Sequence, residues 1–168
     1  MIPPAHVDAR HPTPAPHVDA QIELEHIETR THDVAESFDV MRQLRPHLRD
    51  RASYAAQVSY QRDQGYRLLA ARSDGDIVGL AGYRLLDNLL YGRLVYVDDL
   101  VVTSAMQRSR VGERLLQAVR EQAKQMDCDH LVLDTGLHMS LAQRFYFRQG
   151  LLAQGMHFVE PLSRDIKA

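Results

Sequence analysis

Residues 107–112 read Gln-Arg-Ser-Arg-Val-Gly and run directly into an apolar helical pattern. A strand-like stretch, VYVDDLVVT, comes just before them. A turn that leads from a strand into a helix gathers unpaired backbone N–H groups and the positive end of the helix dipole at one point. Arg108 and Arg110 add local positive charge. The local pattern is compatible equally with the binding of a phosphate group and with a solvated turn without a ligand.

Two adjacent carboxylates, Asp98 and Asp99, lie in the strand-like stretch before this turn. On a regular strand, adjacent side chains point to opposite faces, so at most one of them faces a given site unless a bulge intervenes. The alternative is structural, in which both aspartates pair with an arginine or cap the edge of the sheet.

Phe145 and Tyr146 are adjacent in a second helical pattern, at 140–148. Adjacent helical residues face about 100° apart, so one ring can fill the core while the other faces a cleft. A phenol, with a reference pKa near 10, can donate a proton or a hydrogen bond. A buried aromatic ring with a satisfied hydroxyl is the alternative for Tyr146.

The composition excludes several classes of protein. The chain has 168 residues, of which 45% are hydrophobic, and this is the size of one ordinary domain. A net charge of -2 provides no basic field for nucleic acid. The single cysteine, Cys128, excludes an internal disulfide framework. No apolar run approaches the roughly 18 residues that a membrane helix needs, so we expect a cytoplasmic protein without a membrane partner.

The first twenty residues differ from the rest of the chain. They hold five of the seven prolines and few large apolar side chains, so we expect residues 1–20 to be a flexible arm and residues 21–168 to form the domain. The tetrapeptide HVDA occurs twice in the arm. We interpret it as low-complexity sequence and expect no metal site.

The rest of the pattern predicts the elements that position the candidate residues. Strands are predicted at 21–28, 66–72, 77–86, 93–103, 130–134 and 151–162. Helices are predicted at 34–44, 53–64, 111–126 and 140–148, with Thr31 or Asp33 and then Ser53 as the first two caps. The order indicates an α+β fold in which residues 97–134 form a parallel crossover. The turn at 107–112 then follows the carboxyl end of a strand, where open sheets bind ligands.

Two motifs in this frame resemble the GCN5-related N-acetyltransferases (GNAT). The acetyl-CoA loop of that family follows the pattern Arg/Gln-x-x-Gly-x-Gly/Ala, to which Gln107 and Gly112 match, with Arg110 in place of the middle glycine. The family pattern A-x-x-F-Y-x-x-x-G-F is matched at Ala142, Phe145, Tyr146, Gly150 and Leu151, with leucine for the last phenylalanine. Met139 replaces an asparagine that is frequent before this motif.

The resemblance implies a mixed central sheet of about six to seven strands flanked by about four helices. It implies acetyl-CoA as cosubstrate, held at its phosphates by the loop residues Gln107, Arg108, Ser109, Arg110, Val111 and Gly112. The backbone of Leu100, Val101 and Val102 would pair with the pantetheine arm. Asp98 matches the position of the general base in many members, and Tyr146 that of the general acid.

The implied activity is the transfer of an acetyl group from acetyl-CoA to a primary amine by direct attack in a ternary complex. The partners are then acetyl-CoA and an amine acceptor, and a homodimer is compatible with the fold. The departures at Arg110, Met139 and Leu151 keep an alternative open, which is a catalytically silent acyl-CoA-binding or interaction module with the same fold.

Overall fold

The computed structural model describes residues 21–28 and 31–162, with side chains from Val34 onward in the second range. The strands are β1 (Ile22–His26), β2 (Tyr66–Ser73), β3 (Asp76–Asn88), β4 (Gly92–Val102) and β5 (His130–Leu133). The helices are α1 (Thr31–Glu36), α2 (Phe38–Leu44), α3 (Arg51–Arg62), α4 (Val111–Gln125) and α5 (Ser140–Arg148). The predicted arm at 1–20, the side chains of the predicted caps Thr31 and Asp33, and the last six residues of the predicted domain lie outside the described set.

The five strands form one sheet in the order β1-β2-β3-β4-β5. Neighbours from β1 to β4 are antiparallel, and β5 pairs with β4 in parallel through the crossover helix α4. This confirms the predicted α+β class and the crossover. The β2–β3 hairpin turns at Asp74 and Gly75, whose φ values of 51° and 88° are of the left-handed kind that two-residue hairpin turns require.

Each face of the sheet buries a separate hydrophobic core. On one face α1, α2 and α3 cover a cluster that includes Tyr66, Leu80 and Val101. On the other face α4 covers Val95 and Val97 with its own apolar stripe. Leu115, Leu116 and Val119 of that stripe are 0% exposed, which is why a 15-residue helix lies flat against the sheet here.

The structure corrects the predicted number of strands. Within the described residues the sheet has five strands instead of six to seven, because the segment predicted as a last strand, 151–162, forms no strand. Its large apolar side chains are not buried, since Leu152, Phe158 and Leu162 are 76%, 84% and 91% exposed. Strand propensity alone therefore does not order this segment, because a strand needs a paired neighbour and a face to bury.

The helices also differ from the prediction, which expected about four, whereas residues 31–162 contain five α-helices. The predicted helix at 34–44 is interrupted at Ser37, whose buried hydroxyl donates to the Val34 carbonyl at 2.7 Å and lies 2.8 Å from the Tyr54 hydroxyl. Such bonds from a serine side chain compete with the helical ladder. The cap of α3 is Asp50 and not Ser53, since the Asp50 carboxylate accepts from the Ser53 N–H at 2.9 Å.

Gly82 gives a direct test of how tightly β3 and β2 pack. A Cβ atom at Gly82 would lie 1.9 Å from the Tyr66 hydroxyl, so Gly82→Ala must displace a buried ring. We expect the free energy of unfolding in urea to fall by about 1–3 kcal/mol, the usual cost of overpacking. Gly155→Ala is the control, because nothing lies within 4 Å of the added atom. An equal, small effect of both changes would contradict the packing described.

Candidate active site

A β-bulge in β4 sets the geometry of the two aspartates. Tyr83 pairs with Val97 and the adjacent Gly82 pairs with Asp99, so Asp98 is an extra residue without a partner on β3. The bulge reverses the alternation of the strand. Val95 and Val97 before it pack on the α4 side, as do Leu100 and Val102 after it, whereas Val101 packs on the other side.

The bulge brings Asp98 and Asp99 to the same side of the sheet. Both line one cavity against α2 and α3, although adjacent residues of a regular strand would point to opposite faces. The expectation that at most one aspartate faces a given site therefore applies to a regular strand only, and this strand is not regular. The structure presents a pair of carboxylates to one cavity.

Each carboxylate has its own partners. Arg84 donates from Nε to Asp98 Oδ2 at 2.9 Å. Asp99 accepts from Arg45 Nε at 2.8 Å and from the Tyr66 hydroxyl at 2.9 Å. The Asp99 side chain is 12% exposed and that of Asp98 is 23% exposed. Asp99 is thus fixed by two donors, while Asp98 is the more accessible of the pair.

The two carboxylates are electrostatically distinct. Burial raises the pKa of Asp98, and the Arg84 guanidinium opposes this without cancelling it. A carboxylate with a raised pKa is a better proton acceptor than one in water. Burial also raises the pKa of Tyr66 far above its ordinary value, so its phenol stays protonated and continues to donate to Asp99.

The cavity has a volume of about 590 Å³ and a mixed lining. The apolar part of the lining comes from Met41 of α2, Tyr54 of α3 and Leu48 between the two helices. Cationic and titratable groups, Arg45, His47 and Arg49, come from the same part of the chain. Because Asp98 and Asp99 line it from the sheet, the cavity offers both negative and positive groups to a small molecule.

The loop between β4 and α4 has two residues in the left-handed conformation, Arg108 and Arg110, with φ values of 67° and 65°. A short 3-10 helix, Ser104–Met106, precedes them, and α4 begins at Val111. The first turn of α4 leaves its N–H groups without helical partners. The loop residues predicted to bind a phosphate thus lie at a helix N-terminus.

The side chain of Arg110 lies on the surface of α4. It is 78% exposed and donates to the Glu113 carboxylate from Nε at 2.9 Å and from Nη2 at 3.1 Å. The backbone at Arg110 keeps the left-handed conformation that glycine adopts without steric cost. The backbone at this position therefore has the conformation typical of glycine, although the residue is an arginine.

Beyond the bulge, β4 has a strand neighbour on one side only. Its pairing with β5 ends at Val97 and Leu133, whereas its pairing with β3 continues to Val102. Alternate backbone groups of Leu100, Val101 and Val102 therefore face a gap in the sheet. An extended chain with amide groups can pair with such an edge.

Phe145 and Tyr146 on α5 have different surroundings. A Cβ atom at Gly112 would lie 3.6 Å from the Phe145 ring and 3.5 Å from Val102, so Phe145 packs where the loop, β4 and α5 meet. Burial raises the pKa of Tyr146, and within residues 31–162 its hydroxyl has no hydrogen bond. Tyr146 therefore carries a protonated phenol at neutral pH.

Two residues of the site are not indicated by the sequence pattern: Tyr66 and Arg84. They lie 33 and 14 positions from the aspartates they contact. No local motif marks such distant partners. The described residues supply a pair of carboxylates, an open strand edge, a helix N-terminus and a protonated phenol, which are groups that can serve transfer to a bound nucleophile.

The comparison with family models identifies the class. The model of the Acetyltransferase (GNAT) family matches residues 24–151, which is more than half of the chain. The chain therefore belongs to this family. Among curated relatives it is 29% identical over 98 residues to the aminoalkylphosphonate N-acetyltransferase of Salmonella typhimurium. That match covers 58% of this chain and 62% of the relative, so the chain spans less than two thirds of the relative's length.

Solved structures share the fold at low sequence identity. A ribosomal-protein-alanine N-acetyltransferase from Brucella melitensis biovar Abortus 2308 matches with a TM-score of 0.72 at 19% identity, over 85% of this chain and 100% of its own. The aminoglycoside N-acetyltransferase AAC(6')-Iy in complex with CoA matches with a TM-score of 0.74 at 16% identity, over 85% of this chain and 96% of its own. These structures show that the fold is GNAT-like.

Two further findings concern the described part of the chain. Within residues 21–28 and 31–162, no helix has the length and apolar content to cross a membrane. Over the same residues, no three His, Cys, Asp or Glu side chains are grouped so that they could hold a metal ion.

The conformation of Arg110 predicts the effect of restoring glycine. We expect Arg110→Gly to raise the free energy of unfolding by up to about 1 kcal/mol, because glycine adopts a positive φ without steric cost and the exposed ion pair contributes little. Glu113→Gln is the control, since it removes the ion pair and leaves φ unchanged. Urea denaturation measures both. A loss of stability in Arg110→Gly that exceeds the loss in Glu113→Gln would contradict this account.

Proposed function

We propose that the protein transfers an acetyl group from acetyl-CoA to the primary amine of a small molecule in the cavity lined by Asp98 and Asp99. Membership of the acetyltransferase family supports acetyl transfer. The observation that carries the proposal is the bulge at Asp98, because it places two carboxylates in one cavity at the level where β4 parts from β5. A protonated amine binds beside such carboxylates.

The chain has the groups that acetyl-CoA requires. The N-terminus of α4 at Val111 and Gly112 suits the pyrophosphate, since the N–H groups of a first helical turn act together with the positive end of the helix dipole. The open edge of β4 at 100–102 suits the amide groups of the pantetheine arm. A backbone N–H at this edge would also donate to the thioester oxygen as negative charge develops there.

The proposed reaction is direct attack in a ternary complex. The neutral amine forms a C–N bond to the thioester carbon, and Asp98 accepts a proton from the nitrogen as it attacks. An aspartate is one methylene shorter than a glutamate, so a water molecule relays this proton. The C–S bond then breaks, and the CoA thiolate takes a proton from the Tyr146 hydroxyl.

The cavity favours an acceptor that also carries an anionic group. Arg45, His47 and Arg49 line it together with the two aspartates, so opposite charges on one small molecule can be matched. The Salmonella relative is named for aminoalkylphosphonates, which have an amine and an anion a few bonds apart. We therefore propose small amines with a phosphonate or carboxylate group as the acceptor class.

A panel of amines tests the activity. We expect acetyl-CoA to bind in calorimetry and to release free thiol with 2-aminoethylphosphonate at a kcat/KM about 10-fold above that with propylamine, which has the amine and no anion. The factor of 10 corresponds to one charge-assisted contact of about 1.4 kcal/mol. Binding without thiol release across the panel would instead support a silent acyl-CoA-binding module. An absence of binding by a folded sample would refute the proposal.

Removal of the Tyr146 hydroxyl tests the assigned general acid. Tyr146→Phe should lower kcat by about 100-fold, the usual contribution of general acid catalysis, and leave the Kd of acetyl-CoA unchanged. Burial raises the pKa of this phenol, so the wild-type acid remains protonated throughout the neutral range. The control is Tyr60→Phe, on the 62% exposed tyrosine of α3. If the Tyr146 and Tyr60 variants keep the same kcat, the thiolate receives its proton from elsewhere.

A further inference from the structure

Arg45 lines the cavity from the end of α2, and its backbone is bonded on both sides. Its N–H donates to the Met41 carbonyl at 2.9 Å, and its carbonyl accepts from the Leu48 N–H at 3.1 Å. Pro46 follows and disfavours helical geometry at Arg45, in agreement with the φ of -118° and the ψ of 72° at this residue. The side chain of Arg45 therefore extends from a defined point at the cavity.

The guanidinium group of Arg45 is bound to the bulge through two of its nitrogen atoms. Nε donates to Asp99 Oδ1 at 2.8 Å, and Nη2 donates to the Asp98 backbone carbonyl at 2.8 Å. These two atoms lie along one edge of the planar group, so the group cannot rotate without losing the bonds. Asp99 accepts in turn from the Tyr66 hydroxyl at 2.9 Å. The bulge thus orients Arg45 as well as the two carboxylates.

The third nitrogen of the Arg45 guanidinium, Nη1, remains available to a ligand. An arginine has five N–H donors, and the bonds to the bulge use one on Nε and one on Nη2. Within residues 31–162, both N–H groups of Nη1 and the other N–H of Nη2 have no protein acceptor. Because Arg45 lines the cavity and its side chain is 44% exposed, a small molecule can reach these donors. Donors of this kind bind the oxygens of a carboxylate, phosphate or phosphonate.

The other two basic side chains of the cavity lining, His47 and Arg49, are not oriented in this way. Both are exposed, and within the described residues neither side chain has a hydrogen bond or an ion pair. A flexible side chain loses conformational freedom when it binds a ligand, which weakens binding. Arg45 is already ordered by its bonds to the bulge, so it binds an anion without this loss.

Asp98 provides the complementary group for an amine. Its Oδ2 accepts from Arg84, whereas its Oδ1 has no donor within residues 31–162. Arg45 donates to the backbone carbonyl of this same aspartate. Two residues in direct contact therefore present a carboxylate oxygen and guanidinium donors to one cavity. This arrangement suits a molecule that carries an amine and an anion a few bonds apart.

We propose that Arg45 determines the acceptor specificity by binding the anionic group of the acceptor, while Asp98 Oδ1 binds its ammonium group. This inference rests on the proposed acetyl transfer and narrows the anion preference from three groups of the cavity to one side chain. Asp99 and Tyr66 are positioning residues, because they act by holding the Arg45 guanidinium. Arg45 takes no part in the bonds that form and break, so it changes the binding of the acceptor.

The ratio of kcat/KM for 2-aminoethylphosphonate to that for propylamine tests this role. Both amines are measured on the same sample, so a loss of folded protein lowers both values and leaves the ratio unchanged. Arg45→Gln should lower the ratio from about 10 to about 1, mainly through a higher KM for the phosphonate. Arg45→Lys keeps the charge without the planar donor group and should give a ratio of about 3. The control is Arg42→Gln, at an exposed arginine of α2 outside the cavity lining, and it should keep the wild-type ratio.

Removal of the Tyr66 hydroxyl tests the positioning of Arg45. Tyr66→Phe leaves Asp99 with Arg45 as its remaining donor, so the guanidinium is held less firmly and the ratio should fall by about threefold. A purely structural role of Tyr66 would lower kcat/KM for both amines equally. An unchanged ratio in Tyr66→Phe would therefore overturn the positioning role of this residue.

The outcomes distinguish the two proposals. If both amines are acetylated and Arg45→Gln keeps the wild-type ratio, or if the wild-type ratio is itself near 1, the function stands and the role of Arg45 is overturned. A ratio that is lost in Arg49→Gln or His47→Gln and kept in Arg45→Gln would place the anion elsewhere in the cavity and also overturn it.

If no amine is acetylated although acetyl-CoA binds, the proposed function fails, and the role of Arg45 is decided by binding alone. Calorimetry then measures the Kd of 2-aminoethylphosphonate in the presence of CoA. A Kd that is about 10-fold higher for Arg45→Gln than for the wild type supports the role of Arg45. An equal Kd, or no binding to the wild type, overturns it.

Discussion

The extra residue in β4 is the constraint on which the site depends. Because Asp98 has no partner on β3, the strand continues beyond it with its alternation reversed, and each consequence follows from that shift. Asp99 meets Tyr66 and Arg45, Asp98 meets Arg84, and Val101 enters the core under α2 and α3. The parallel pairing with β5 ends at the same level, which opens the edge of the sheet beside the carboxylates. One bulge therefore forms both the acidic pair and the gap next to it.

Neighbouring cationic side chains stabilise this pair of carboxylates in the folded protein. Arg84 donates to the Asp98 carboxylate, and Arg45 donates to the Asp99 carboxylate and to the Asp98 backbone carbonyl. The Arg84 guanidinium also lies 5.5 Å from the centre of the Tyr66 ring. Two carboxylates without such partners would repel each other in a partly buried site. Asp98 keeps a raised pKa because its burial outweighs its ion pair. The network thus holds the two aspartates side by side at one cavity.

The parts of the fold that depend on local sequence could be predicted. The β2–β3 hairpin, the crossover through α4 and the helix Ser140–Arg148 follow from turn residues and periodicity, and the structure confirms them. The family was recognisable because its two motifs are short stretches of chain. The bulge, the partners Tyr66 and Arg84, and the interruption at Ser37 depend on contacts between distant residues, so they could not be predicted. The prediction of a strand at 151–162 was wrong, because apolar residues form a strand only where a neighbouring strand pairs with them.

The loop before α4 shows how a backbone conformation typical of glycine can be kept when the glycine is replaced. The family pattern has glycine at this position and the chain has Arg110, but the backbone keeps a positive φ, which glycine adopts readily. The guanidinium pairs with Glu113 in the first turn of α4, so the arginine occupies a glycine's conformation while its side chain lies along the surface of the helix. A search of sequences that demands glycine here would pass over this chain, whereas a search of backbone torsions would retrieve it. Sequence patterns for such loops are therefore better written as torsion classes with permitted residues than as fixed residues.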